Sequence, residues 1–175
     1  MSDLGRHYLE NVIREFEAMK RQAERALDQV ADGQLNVALD PESNSLAVIV
    51  KHLAGNMRSR WTEFLTSDGE KPDRDRDGEF EGTLTRGDLL ARWQRGWDCV
   101  FAAISTLTPE DLLRSVQIRN DPYTVVQAID RQLTHYSGHI GQIVFLAKHL
   151  AGGRWKSLSI PRGQSGAFLG KPRPM

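Results

Sequence analysis

The sequence predicts an all-α protein with the architecture of a four-helix bundle. Four long segments carry apolar residues at helical spacing, which indicates amphipathic helices that each bury one face. No pair of segments shows a convincing sheet pattern, so these apolar faces have only one another to pack against. The predicted helices cover residues 8–31, 46–66, 86–107 and 123–151, and an irregular Pro/Gly-rich tail, 152–175, follows the fourth.

Composition limits the classes of function. The 175 residues, of which 39% are hydrophobic and 26% charged, fit one domain spanning 1–175. The formal net charge is zero, so the chain lacks the overall basic charge typical of nucleic-acid-binding proteins. No apolar run has transmembrane length, and the first residues lack the apolar core of a signal peptide. We therefore expect a cytoplasmic protein with no nucleic-acid or membrane partner.

The first two helices are defined by their apolar stripes and end signals. The first stripe begins near Tyr8, and the pair Asp32-Gly33 favours a stop just after it. Ser45 is a favoured N-cap residue for the second helix. On that helix His52 and Asn56 lie one turn apart, at the edge of the apolar stripe.

Residues 67–84 are predicted to form a solvated loop, because charged and turn-forming residues dominate them. Thr85 and Asp88 then have the spacing of a capping box at the start of the third helix. Trp93 and Trp97 stand one turn apart on that helix, which indicates core packing rather than a ligand platform. Cys99, the single cysteine, has apolar neighbours and is interpreted as a small core residue.

A short irregular region precedes the fourth helix. Residues 115–119 alternate in polarity and indicate an extended segment, which a turn-forming stretch interrupts. Thr124 and Gln127 have capping-box spacing and predict the start of the helix. Gly138 and Gly141 lie inside it, where each glycine costs about 1 kcal/mol relative to alanine. The pair indicates close approach of another backbone, either within the bundle or on a second subunit.

Histidine spacing provides the candidate site. His135 and His139 are four residues apart on the fourth helix, so both imidazoles point from one face and can reach one metal ion. Metals held by protein alone usually take three or four ligands, so a further ligand is needed. His52 lies on a compatible flank of the second helix and is the candidate. His149 is too far along the helix, and His7 is the fallback third ligand.

Three histidines with an open fourth position are typical of catalytic rather than structural metal sites. The segment between His135 and His139 lacks the glutamate of the zincin motif, and the chain contains no Glu-x-x-His pairs for a di-iron bundle. The alternative interpretation is that each histidine is a hydrogen-bonded residue at the rim of the core. Spacing alone does not decide between a metal site and this alternative.

At these residues the chain resembles a known family. His52 within Val50–Asn56, followed much later by His135 and His139, is similar to the DinB/YfiT-like superfamily of metal-binding four-helix bundles. The stretches Arg131–Ile143 and Trp155–Ser165 resemble a branch of uncharacterised bacterial DinB-like proteins. The resemblance extends from the first helix to the tail.

The resemblance implies a bundle with up-down-down-up connections. It also implies one divalent ion, zinc, nickel or iron, bound by His52, His135 and His139. Many members of the superfamily are homodimers. Characterised relatives include S-transferases that use low-molecular-weight thiols such as bacillithiol or mycothiol, and a maleylpyruvate isomerase; in such enzymes the metal activates the thiol. No residue here matches a family general base, so catalytic and cofactor-binding residues are not assigned.

Two hypotheses follow for the function. The first is a metal-dependent enzyme, a thiol S-transferase or a hydrolase, acting on a small-molecule substrate at a three-histidine site. It requires a cavity beside His52 and an open coordination position. The second is a non-enzymatic, dimeric binding or stress-response bundle. It requires His52 to turn away from the other two histidines, or a fourth side chain to close the site.

Overall fold

The computed structural model describes residues 2–168 and contains four long helices with a small sheet between the third and fourth. The helices pack as two extensive pairs, the first with the fourth and the second with the third. The elements are α1 (Ser2–Leu27), α2 (Leu46–Trp61), α3 (Arg86–Ser105), β1 (Ser115–Ile118), β2 (Asp121–Thr124) and α4 (Val125–Ala151). The predicted helical bundle is therefore confirmed, whereas the order of helix directions stays a prediction.

Backbone conformation explains where the helices end. Helix α2 ends at Trp61 rather than at the predicted residue 66, because Thr62 is extended and Glu63 has a φ of 51°. A positive φ in a residue other than glycine cannot continue a right-handed helix. Helix α1 starts at Ser2, before the predicted start, and ends at Leu27, before a short 3-10 turn at Asp32–Gln34.

Side-chain caps fix the starts of the later helices, as the sequence predicts. The Ser45 hydroxyl accepts a hydrogen bond from the backbone N–H of Val48 at the start of α2. The Thr85 hydroxyl accepts one from the Asp88 N–H at the start of α3. At α4, Thr124 and its partner Gln127 form a reciprocal capping box. These bonds satisfy N–H groups that have no partner within the helix.

The two-stranded sheet is the main departure from the predicted all-α fold. Strand β1 falls within the predicted extended segment 115–119, and it pairs antiparallel with β2. Arg119 and Asn120 form the turn with φ values of 58° and 63°, the combination that two-residue hairpins of type I′ require. The second strand was not predicted from the sequence because it contains Pro122, and proline is normally confined to edge strands.

Aromatic side chains fill the centre of the bundle. Trp93 and Trp97 are almost completely buried, which confirms their role in packing. Phe16 packs its ring against Trp61 and Trp97, with centroid distances of 5.9 and 6.0 Å. Cys99 is only partly buried and lies against the edge of this core. The core therefore fixes the relative positions of α1, α2, α3 and α4.

The glycine pair on α4 does not contact another part of the described chain. Gly138 and Gly141 are exposed, and a Cβ atom built on either would meet nothing within 4 Å. The interpretation that another backbone approaches them within the bundle is therefore wrong for residues 2–168. Packing against a second subunit stays a prediction.

Part of the predicted tail packs back onto the bundle. Trp155 and Leu158 are partly buried against the core, and Gln29 of the α1 end hydrogen-bonds the backbone of Lys156. Residues 169–175 of the predicted tail lie outside the described residues. Within the described range no helix is long and apolar enough to cross a membrane. A cytoplasmic location stays a prediction.

A buried hydrogen-bond chain in the core generates the first testable prediction. The Tyr136 hydroxyl accepts a hydrogen bond from Trp61 Nε1 at 2.9 Å and donates one to Asn56 Oδ1 at 3.1 Å. The substitution Tyr136→Phe removes both bonds and leaves two buried polar groups unpaired. We expect it to lower the free energy of unfolding by about 1–3 kcal/mol in urea denaturation.

Tyr123→Phe is the matched control, because the Tyr123 hydroxyl makes no hydrogen bond to any residue between 2 and 168. We expect it to change stability by less than about 0.5 kcal/mol. Equal stability of the two variants would contradict a structural role for the Tyr136 hydroxyl.

Candidate metal centre

Three imidazole rings converge at one point between α2 and α4. His52 Nε2 lies 3.3 Å from His135 Nε2, and His139 Nε2 lies 3.1 Å from the same atom. One nitrogen from each ring falls within 4.8 Å of the other two, a spacing at which a single ion can contact all three. The structure thus brings together the three histidines that the sequence singles out. His52 does not turn away.

The backbone explains this convergence. His135 and His139 are one helical turn apart on α4, so both rings leave the same face. His52 comes from α2, which packs against α4. All three side chains are half-buried, because they lie at the rim of the core rather than inside it. His7 and His149 are exposed and lie outside the cluster.

Two of the rings are oriented by hydrogen bonds at their other nitrogen. His52 Nδ1 lies 3.0 Å from Glu79 Oε2, and His139 Nδ1 lies 2.9 Å from Gln142 Oε1. Each acceptor favours the tautomer that carries its proton on Nδ1. That tautomer leaves a lone pair on Nε2, directed towards the point of convergence. These residues therefore fit a divalent cation well.

Glu79 is the residue of this site that the sequence interpretation missed. Its carboxylate is buried and receives two hydrogen bonds from Arg74, from Nε at 2.8 Å and from Nη2 at 2.9 Å. The predicted solvated loop is therefore wrong for Arg74 and Glu79, although Asp73, Asp75 and Asp77 are exposed. The length of the loop was an available signal, because long connections in compact domains are often functional.

The electrostatics of the cluster suit metal ligands. Burial, followed by the neighbouring His139 and His52, lowers the pKa of His135 to about 4. Burial also lowers the pKa of His139, although its hydrogen bond with Gln142 acts in the opposite direction. Neutral imidazole is the form that binds metals, so both rings are in the ligating form at neutral pH.

The Glu79 carboxylate stays ionised beside these rings. Burial raises its pKa, but the hydrogen bonds from Arg74 and His52 outweigh burial and leave the pKa below its usual value. A charged acceptor at His52 Nδ1 makes that imidazole a stronger electron donor at Nε2. The carboxylate therefore acts on the cluster through His52.

A cavity of about 420 Å³ adjoins two of the three histidines, whereas His139 does not line it. His52 and His135 form one side of the cavity, and Asn56 and Gln132 line it further along α2 and α4. Across residues 2–168, no fourth His, Cys, Asp or Glu joins the group of three. Cys99 lines a different cavity beside Trp61. The arrangement has three candidate ligands and, beside two of them, space for a small molecule.

The chain combines a helical bundle with three histidines from its second and fourth helices, the pattern for which its sequence resembles DinB-like proteins. The chain belongs to the family described as Protein of unknown function (DUF1572), whose model matches residues 3–164. This membership supports the superfamily assignment that the sequence indicates.

A solved structure supports the same fold. The chain is similar to the crystal structure of a DinB-like protein, YjoA, from Bacillus subtilis, with a TM-score of 0.64 and 16% sequence identity. The match covers 84% of this chain and 96% of that one. At this identity the similarity establishes the fold. No curated protein matches the sequence.

The contact between α2 and Glu79 generates a second prediction. A Cβ atom on Gly55 would lie 2.8 Å from Glu79 Cδ, so an alanine there must displace the carboxylate from Arg74 and His52. We expect Gly55→Ala to destabilise the protein by about 2 kcal/mol or more, because it disrupts a buried ion pair. Urea denaturation measures the effect.

Gly87→Ala is the control, because Gly87 is exposed in the first turn of α3, where the added methyl group would meet only Thr85 Oγ1, at 3.9 Å. It should stabilise the protein by up to about 1 kcal/mol through helix propensity alone. A Gly55→Ala protein as stable as Gly87→Ala would show that the position of Glu79 does not matter to the fold.

Proposed function

We propose that this protein is a metal-dependent enzyme in which His52, His135 and His139 hold one divalent cation, zinc, nickel or iron. The observation that carries the proposal is the convergence of three Nε2 atoms, two of them on rings whose Nδ1 is tethered. Imidazole nitrogen is a suitable ligand for each of these metals. The neutral state favoured for His135 and His139 supports the same assignment.

The open side of the site supports catalysis rather than a structural role. Structural metal sites usually have four protein ligands, whereas catalytic sites keep a position for substrate or water. Here a cavity of about 420 Å³ lies beside His52 and His135 and leaves room for such a molecule. When bound, a divalent cation supplies a Lewis acid that lowers the pKa of a coordinated thiol or water molecule.

The surrounding residues position the ligands. The Glu79 carboxylate accepts a hydrogen bond from the protonated Nδ1 of His52 and so orients that ring. Arg74 holds Glu79 in place. Gln142 does the same for His139. Phe80 covers the His52 ring at a centroid distance of 5.3 Å. We propose positioning roles for these residues and assign no general base.

The reaction we favour is transfer of a low-molecular-weight thiol to an electrophile. In this reaction the thiol releases its proton to solvent, its sulfur bonds to the electrophilic carbon, and the leaving group departs with the electrons of the broken bond. Hydrolysis, with water in place of the thiol, uses the same site. The support is the DinB-like assignment together with an open cavity of small-molecule size beside the histidines.

The second candidate is a dimeric, non-enzymatic binding or stress-response module. One observation favours a dimer: Phe145 is 69% exposed on α4, and the exposed Gly138 and Gly141 lie close by on the same helix. We propose a homodimer that uses this face, whichever function is correct.

We also propose the up-down-down-up connection, because the long segment between α2 and α3 has enough length to let these packed helices run in the same direction.

Metal content tests the first part of the proposal. Wild-type protein stripped with chelator and then incubated with zinc, nickel or iron should retain one ion per chain by elemental analysis. His135→Ala should lose stoichiometric metal binding, because only two of the three imidazole ligands remain. His149→Ala, which removes an exposed histidine from the same helix, should bind like wild type. A wild-type chain that retains none of the three metals would refute the metal centre.

Activity tests the second part. Metal-loaded and metal-stripped protein should be assayed with several cellular thiols and an electrophile such as a haloalkane, and in parallel with activated esters. We expect thiol consumption or ester cleavage by the loaded protein, and background rates from the stripped protein and from His135→Ala. Full metal loading with background rates for every substrate pair would favour the non-enzymatic module.

A further inference from the structure

The cavity beside the histidines has an unusual concentration of positive charge. Five arginine residues line it, contributed by α2, by the loop between α2 and α3, by the hairpin turn and by α4. Among the described residues that line it, none carries a carboxylate. The five are Arg60, Arg74, Arg76, Arg119 and Arg131.

Nearby carboxylates neutralise only part of this charge. Glu70 is shared by four of the arginines, with contacts of 3.0 to 3.5 Å. Glu79 forms an ion pair with Arg74 alone among them. Asp68 is also close, but its carboxylate accepts hydrogen bonds from the backbone N–H groups of the hairpin turn. Five guanidinium groups therefore face three carboxylates, of which Glu70 and Glu79 form direct ion pairs, and the cavity keeps a net positive charge.

Arg131 is the arginine with the greatest freedom to bind a ligand. It makes no ion pair with any residue between 2 and 168, and its guanidinium lies over the Tyr123 ring, 5.7 Å from the centroid. It also stands one helical turn before His135, with the same spacing that separates His135 from His139. Arg131, His135 and His139 therefore share one face of α4.

Two buried polar atoms of the cavity lining have no hydrogen-bond partner in the described part of the chain. The side chains of Arg60 and Gln132 are almost fully buried, yet Arg60 Nε and Gln132 Oε1 make no hydrogen bond. Buried polar groups in folded proteins are nearly always paired, and an unpaired one costs free energy. Arg60 Nε is a donor on a charged group, so its complement is an anionic acceptor. Gln132 Oε1 is an acceptor, so its complement is a hydroxyl or N–H group elsewhere on the same molecule.

We propose that this cavity binds the anionic group of the substrate, a carboxylate or phosphate on a small molecule whose reactive end faces the three histidines. This inference rests on the proposed function, because it names the substrate class for the same site. Guanidinium groups bind both kinds of oxyanion through paired N–H donors. The volume of about 420 Å³ suits a small molecule rather than a polymer.

Isothermal titration calorimetry on the full chain tests the inference with inorganic phosphate, with succinate and with uncharged 1,4-butanediol. Each titration uses both metal-stripped and metal-loaded protein at low ionic strength. We expect one phosphate or succinate per chain in both forms and no binding of the diol. Preference for phosphate or for succinate identifies which oxyanion the substrate carries.

Arg131→Gln is the informative variant, because Arg131 is exposed and makes no ion pair with any other residue between 2 and 168, so we expect the fold to stay intact. We expect it to weaken oxyanion binding about tenfold or more, the effect of losing a charged hydrogen bond, while metal uptake is unchanged. Arg95→Gln is the matched control, since Arg95 is exposed on α3 and does not line the cavity. It should bind the oxyanion like wild type.

The outcomes separate this inference from the metal proposal. Oxyanion binding by a chain that takes up no metal supports the arginine site and refutes the metal centre. Metal uptake without oxyanion binding refutes the arginine site alone. Equal weakening by Arg131→Gln and Arg95→Gln, or binding only to metal-loaded protein with no effect of Arg131→Gln, also overturns the inference.

Discussion

The buried carboxylate of Glu79 connects the fold of this protein to its candidate site. It lies between the guanidinium of Arg74 and the imidazole of His52, and it is shielded from water by α2. Burying a charge in this way is costly unless the group is fully paired. Arg74 supplies two of the hydrogen bonds and the opposite charge, and His52 supplies a third. The carboxylate can therefore occupy only one place, and the orientation of His52 follows from it.

The loop that carries Glu79 is itself held by polar contacts with the rest of the molecule. The Asp68 carboxylate accepts two backbone hydrogen bonds from the hairpin turn, and Gly69 donates one to Gln117. The Ser59 hydroxyl of α2 donates to the Gly69 carbonyl at 2.8 Å. A segment rich in charge thus becomes ordered because its charges are paired across elements. This order brings arginine residues from four parts of the chain to one cavity beside the histidines.

Much of the fold could be predicted from local patterns. Apolar periodicity located the four helices, and the caps at Ser45, Thr85 and Thr124 agree with their sequence signals. Local patterns failed where conformation depends on contacts remote in sequence. Glu63 adopts a left-handed conformation that ends α2 early, and Pro122 pairs within a strand although proline normally argues against one. The close approach inferred for Gly138 and Gly141 does not occur within the described chain, because these glycines face outwards.

The sequence by itself determined the helical class and the three histidines, because both follow from regular spacing along helices. Two residues four apart share a face wherever the helix lies, and the flank position of His52 follows from the stripe on α2. Only the tertiary structure decided that Glu79 and Arg74 are buried and that Arg131 stands beside the cluster facing four other arginines. Those placements depend on how a long loop and a hairpin fold back over α2 and α4. Loop residues follow no periodic pattern from which such contacts could be predicted. Their charged composition alone therefore predicted exposure to solvent.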